Sequence, residues 1–176
     1  AINNFVKRVS LEHFHNFKPD ANLCPLEENR DLSNDHWVSS VLITTDKASI
    51  NFRVHFSSVM GKQLLADAFG ESPAEFSHVE VQDFLKEFCN VIVGQVKTFL
   101  SSESDPDNPS KVFVPEIEPS YDEYGVVNKQ DKPTNEDWWK IVWDDQEIVL
   151  CSDVNCGDNF TAETLKQLSN QGILSV

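Results

Sequence analysis

Asp83, Glu87 and Asn90 stand at i, i+4 and i+7 in the run Asp83-Phe-Leu-Lys-Glu87-Phe-Cys-Asn90-Val-Ile-Val-Gly94. On a helix that spacing places two carboxylates and one amide on a single face, each about one turn from the next. Phe84, Leu85, Phe88, Val91, Ile92, Val96 and Phe99 fill much of the remaining surface and can bury it. An amide next to a carboxylate on a rigid, exposed helix can orient a water at a reactive centre held by a partner. It brings no strong base, nucleophile or metal cluster of its own. Glu and Asn on an exposed helix are more often plain solvated surface. Two residues weigh against that plain reading. Asn competes for backbone hydrogen bonds and is a poor interior helix residue. Gly94 costs a helix about 1 kcal/mol relative to Ala. A helix that carries both has a use for close approach or for chemistry.

The elements around this helix follow from periodicity. Ile2, Phe5, Val6, Val9, Phe14 and Phe17 recur at near-helical spacing, which predicts an amphipathic helix over 2–17, ended by Lys18-Pro19-Asp20. A short strand is expected near Leu23–Leu26. Val38–Thr45 and Ala48–Phe56 are β-rich runs around Asp46-Lys47, and the alternation Ile50, Phe52, Val54, Phe56 is that of a half-buried strand, so the two form a hairpin. Ser57 or Ser58 caps a helix over 59–69 that Gly70 closes. The long helix then runs from about Ser77 to Leu100.

After a polar break at 101–110, Val112–Ile117 reads as a strand whose Pro115 demands an edge or a bulge. Residues 118–137 read as a long acidic loop. Trp138–Trp143 and Glu147–Cys151 form a second hairpin around Asp144-Asp145-Gln146, and Thr161–Leu168 suits a short terminal helix. Helices mixed with neighbouring hairpins imply an α+β fold with a largely antiparallel sheet. The length of 176 residues suits one domain, 1–176, with a divergent tail from about 154.

Composition excludes several functions. Acidic residues outnumber basic ones 29 to 14, for a formal charge of −15. Phosphate backbones and anionic membrane surfaces would be repelled, so neither nucleic acid nor membrane insertion is expected. No apolar run approaches the ~20 residues a membrane-spanning helix needs, and the N-terminal stretch has no secretory apolar core. Cys24, Cys89, Cys151 and Cys156 form no C-x-x-C pair, and His13 and His15 are distant from them, so no metal site is expected and a reduced, cytoplasmic setting fits. His55 and His78 are lone histidines. Phosphate-loop, dinucleotide, zinc-protease and serine-hydrolase motifs are absent. Trp138, Trp139 and Trp143 could stack a ligand, but at a period of two they are expected to pack the sheet, with one facing out.

This order of elements, with the marked helix in place, resembles the CheC/CheX/FliM superfamily, and within it the CheX-like chemotaxis phosphatases. The resemblance spans the first helix to the hairpin ending near Cys151. The family signature is an acidic residue or Ser, a Glu four on, an Asn three on and a later Pro. Asp83, Glu87, Asn90 and Pro115 match it, and Gly94 matches the glycine that follows the Asn. One copy of the motif is found, as in CheX, rather than the two of CheC-type members. Pro115 lies two residues farther from Asn90 than is usual, the 118–137 loop is longer, and the tail has no counterpart.

The resemblance implies hydrolysis of the aspartyl-phosphate on a CheY-like response-regulator receiver. Asn90 would direct the attacking water, Glu87 would dock on a receiver Lys, and Asp83 would lie at the edge of the contact. Gly94 and Pro115 would be structural. No cofactor would be bound by this chain, since Mg²⁺ belongs to the receiver. A homodimer is implied as well. The alternative is a receiver-binding adaptor or switch-complex component without catalysis.

Overall fold

The computed structural model describes residues 2–26, 36–45, 48–101, 110–119 and 136–157. Among them are three helices, α1 (Ile2–Phe14), α2 (Ser58–Phe69) and α3 (His78–Ser101). The strands are β1 (Asn22–Pro25), β2 (His36–Thr44), β3 (Ala48–Ser57), β4 (Lys111–Val112), β5 (Glu116–Pro119), β6 (Glu136–Trp143) and β7 (Gln146–Cys156). They form one antiparallel sheet in the order β1-β6-β7-β3-β2, with β4 and β5 both on the outer side of β2. The helices pack against this sheet, giving the expected α+β architecture.

Both hairpins arise where alternation places them. In β3, Ile50, Phe52, Val54 and Phe56 all point into the core, and they lie opposite Ile43, Val41, Ser39 and Trp37 of β2 in that order. In the second hairpin Asp144 and Asp145 have φ of 42° and 62°, and β7 resumes at Gln146. Two successive left-handed residues make the tight turn that matches strand twist, and Asp tolerates that region better than most residues. Trp139 and Trp143 are buried on the helix side. Trp138 faces the other way, half-buried, with Arg53 over its ring at 5.4 Å.

Helix ends follow local chemistry. Ser57 Oγ accepts the Met60 amide, and Gly70 ends α2 at φ 72° with its N–H on the Ala66 carbonyl. At the start of α3, Ser77 N and Oγ both donate to Glu80 Oε2 (2.8 and 2.7 Å), while Glu80 N donates back to Ser77 Oγ at 3.3 Å. This reciprocal capping box fixes where α3 begins. The same two donors hold the Glu80 carboxyl below its ordinary range.

Three expectations are corrected. α1 stops at Phe14 rather than Phe17, because residues 15–17 form a turn in which Lys18 N donates to the Phe14 carbonyl and the His15 ring meets the Ala21 carbonyl at 2.9 Å. The strand expected at 112–117 is two short pieces. Four steps from Val112 to Glu116 match three from Ile43 to Ser40, so one extra residue sits at the buried Pro115, as a proline without an N–H requires. The 118–137 loop is shorter at both ends, since Glu118–Pro119 belong to β5 and Glu136–Asp137 to β6. The helix expected at 161–168 lies outside the described residues.

Candidate functional site

α3 is long enough to bury one face along its whole length and leave the opposite face to solvent. Val81, Leu85, Phe88, Cys89, Ile92, Val93, Val96 and Leu100 are buried. Asp83, Glu87, Asn90 and Gly94 are all exposed, and they form the stripe the spacing predicts. The buried face rests on β2 and β3. Cys89, one residue before Asn90, donates its S–H to Ser39 Oγ of β2 at 3.4 Å, and burial pushes this thiol up to about 12. It is an inert anchor, and a rigid one for its neighbour.

On the stripe, Asn90 Nδ2 donates to Glu87 Oε2 in a long contact of 3.5 Å. The donor side of the amide is thus turned toward the carboxylate. Oδ1 is the acceptor left to receive an O–H from a water. Glu87 stands on an exposed surface, where a cation can reach its carboxylate. Asp83 is a turn earlier and is held by Lys86 at 3.5 Å, a neighbouring surface pair that contributes little to stability. Gly94 is also exposed. A Cβ there would meet nothing within 4 Å in this chain, so its own packing does not call for a glycine. Thr98 Oγ1 donates to the Gly94 carbonyl at 2.9 Å and closes the helical turn below it.

Pro115 does not join the stripe. It is buried at the bulge between β4 and β5, beside the Ser40–Leu42 stretch of β2 that α3 lies along. Pro115 thus lies apart, while Asp83, Glu87, Asn90 and Gly94 are brought together on one face of α3.

The structure also places beside α3 residues from the end of α1 and the turn after it that sequence spacing did not single out. His13 lies with its ring centroid 5.3 Å from Phe88 and 5.3 Å from Phe17. Asn16 Nδ2 lies 3.4 Å from His13 Nδ1. Burial lowers the His13 ring below its ordinary value of 6.5, and the nearby Glu87 carboxylate works in the opposite direction. Only the packing of α1 on α3 reveals this neighbour, and no short-range spacing could have found it.

Among the described residues no group of three or more His, Cys, Asp or Glu is arranged to hold a metal ion, and no helix is long and apolar enough to cross a membrane.

The family model of the chemotaxis phosphatase CheX matches residues 38–118, the stretch from β2 to β5 that contains the whole stripe and Pro115. Solved structures share the fold. A CheC-like chemotactic protein from Shewanella oneidensis aligns at TM-score 0.60 with 13% identity, covering 87% of this chain and 99% of that one. CheX from Vibrio vulnificus aligns at 0.59 with 11% identity, over 85% and 99%. Residues 38–118 of the chain thus resemble CheX in sequence, and its fold is that of the CheC and CheX structures. CheX from Borrelia burgdorferi, solved as a CheX–CheY–BeF3–Mg²⁺ complex, aligns at 0.59 with 12% identity, over 88% and 97%. No curated protein matches this chain in sequence. At such identities the structural likeness speaks for the fold, and the placement of individual side chains rests on this chain's own geometry.

Proposed function

We propose that this CheX-like chain hydrolyses the aspartyl-phosphate of a CheY-like receiver domain. The observation that carries the reading is the α3 stripe, in which Glu87 and Asn90 are exposed together and joined through the amide's donor side. The similarity to a CheX solved in complex with CheY supports a receiver as the partner.

In this reading Glu87 pairs with a receiver Lys and sets the docking register, with Asp83 at the rim. A charge-assisted pair that becomes partly desolvated gives orientation as well as energy. Asn90 Oδ1 accepts a hydrogen bond from a water and holds its oxygen in line with the acyl-phosphate bond. The water oxygen forms the new bond to phosphorus, the bond between phosphorus and the aspartyl oxygen breaks, and the carboxylate leaves with that electron pair. The water's proton passes to the released phosphate or to solvent. An amide suits this task because it directs the water without a change of charge, so its contribution is positional. Mg²⁺ is held by the receiver next to its phosphoaspartate, and this chain supplies no metal or cofactor. Gly94 leaves room for the partner's surface to close on the helix. The chain works in the cytoplasm, a setting that its free cysteines suit, and as a homodimer through the β4–β5 edge.

The test mixes the protein with phosphorylated receivers from its own organism and follows phosphate loss. Wild type accelerates the loss for one receiver. Glu87→Ala weakens both binding and turnover, and rising salt weakens wild-type binding, because the pair is partly exposed. A receiver that binds with no acceleration of phosphate loss would support the alternative, a receiver-binding adaptor. Equal affinities for wild type and Glu87→Ala would remove Glu87 from the docking contact.

A further inference from the structure

We propose that Lys86 is a further catalytic residue of the α3 stripe, whose ammonium meets the phosphoryl oxygens of the receiver's aspartyl-phosphate and stabilises the charge they carry in the transition state. The inference rests on the hydrolysis reading and adds to it a cation that this chain brings itself.

Helix register puts Lys86 on the contact face. α3 runs without a break from His78 to Ser101. Lys86 lies three residues after Asp83 and four before Asn90, so it occupies the turn between the rim carboxylate and the amide that directs the water. Helix neighbours at that spacing have Cβ atoms about 5–6 Å apart, a gap that the flexible stem of a lysine can span. Lys86 Nζ meets Asp83 Oδ1 at 3.5 Å, which turns the ammonium onto the exposed stripe and away from the buried face of the helix. Lys97, the other lysine of α3, is seven residues beyond Asn90, about 10 Å farther along the axis.

The way Lys86 is held leaves it available. Lys7, Lys18 and Lys140 meet carboxylates at 2.8, 2.8 and 3.2 Å, and their side chains are no more than 23% exposed. The Lys86 contact is longer and its side chain is 37% exposed. A long pair in water is worth little, and salt screens it. The ammonium can therefore leave Asp83 at small cost when a more highly charged acceptor arrives. The phosphoryl group is such an acceptor. Without Lys86 the stripe would present Asp83 and Glu87 alone to an anionic centre, on a chain whose net charge is already −15. Lys86 offsets that repulsion one turn from the reacting water.

The chemistry then needs no proton from the lysine. As the water oxygen bonds to phosphorus and the bond to the aspartyl oxygen breaks, negative charge spreads over the three equatorial phosphoryl oxygens. Asn90 directs the water, and the Lys86 ammonium meets one of these oxygens. It stays protonated throughout and acts as a point charge placed where charge develops.

The experiment uses the receiver identified by the phosphate-loss assay and compares wild type, Lys86→Met and Lys86→Arg. It measures single-turnover phosphate loss at saturating protein. It also measures affinity for the Mg²⁺-loaded receiver carrying beryllofluoride, which mimics the ground state, or tetrafluoroaluminate, which mimics the transition state. Lys86→Met should slow the saturated step by about 10- to 100-fold, between the worth of a charge contact in water and in a partly closed interface. Lys86→Arg should recover most of that loss. Affinity for the tetrafluoroaluminate form should fall in Lys86→Met far more than affinity for the beryllofluoride form, because the contact is strongest in the transition state. Both proteins should melt together, since the surface pair with Asp83 adds little to stability. A lysine that served only that pair would move neither the rate nor the difference between the two mimics. A saturated rate unchanged in Lys86→Met, with wild type active, would overturn the inference and leave the hydrolysis reading standing. Lys86→Arg as slow as Lys86→Met would overturn it too, since the charge would then not be what matters. Wild type that binds the receiver without speeding phosphate loss would remove the hydrolysis reading and this inference together.

Discussion

Asn90 contributes through one acceptor atom, so its replacement separates chemistry from stability. It is exposed, and its contact within the chain is the long one to Glu87. Asn90→Ala should therefore change stability by no more than about 0.5 kcal/mol, while phosphate loss from the receiver slows by about 100-fold or more, as expected when a reacting water is no longer held in line. Thermal melts and the phosphate assay check the two halves. Asn90→Asp should be as inactive, because a carboxylate facing a phosphoryl group adds repulsion where a neutral acceptor is needed. Metal binding belongs to the same scale. Mg²⁺ is a hard cation that wants several oxygen ligands, and Asp83 and Glu87, a turn apart with Lys86 on one of them, offer it little. Calorimetric titration of the isolated protein with Mg²⁺, Mn²⁺ and Zn²⁺ should show no tight stoichiometric site on this stripe. A micromolar site that needs Asp83, Glu87 or Asn90 would replace water positioning with metal-assisted hydrolysis. His13 carries a stability consequence of its own. Its folded-state value lies below 6.5, so below that pH the unfolded chain takes up a proton the folded chain resists, and stability falls as pH drops through this window. His13→Phe should flatten that limb in melts between about pH 7 and 5.

Two helical glycines make opposite predictions at the scale of elements. Gly61 lies in α2, where a Cβ would overlap the Val81 side chain of α3. Gly61→Ala must push the two helices apart and should cost about 1–3 kcal/mol. Gly94 has open space over it. Gly94→Ala should stabilise the free protein by up to about 1 kcal/mol through helix propensity, and Gly94→Leu should weaken receiver binding if the partner closes on that spot. Denaturant melts and binding titrations distinguish the two. The contrast also marks what was legible in the sequence. α3, its polar stripe and both hairpins follow from periods of 3.6 and 2, which are local signals. The break at Pro115 was legible because a proline removes a ladder donor. The end of α1, the pairing of β1 with β6, the Gly61–Val81 contact and the packing of His13 on Phe88 are set by elements far apart in the chain, and no local pattern encodes them.

Charge and edges decide behaviour at the scale of the whole molecule. A chain of net charge −15 repels its own copies at long range, so any self-association has to come from short-range contact. The sheet offers one. β4 and β5 are short and interrupted at Pro115, and around them Leu42, Val112, Phe113 and Val114 are exposed, Val114 at 83% and Phe113 at 50%. Exposed apolar residues on a broken edge strand invite pairing, and a second copy of the same edge would bury them. Such an interface is apolar at its centre and flanked by like charges, which fixes its salt dependence. Dimerisation should strengthen as salt screens the mutual repulsion, whereas receiver docking through Glu87 weakens over the same range. Light scattering at tens of micromolar protein should show a dimer that persists in high salt, and Val114→Asp should shift it to monomer without lowering the melting temperature of the monomeric domain, because Val114 is solvent-facing in the single chain. A wild-type monomer at those concentrations in both low and high salt would rule out the edge as an interface, and would leave the α3 stripe, which lies on another element, untouched as the site of receiver contact.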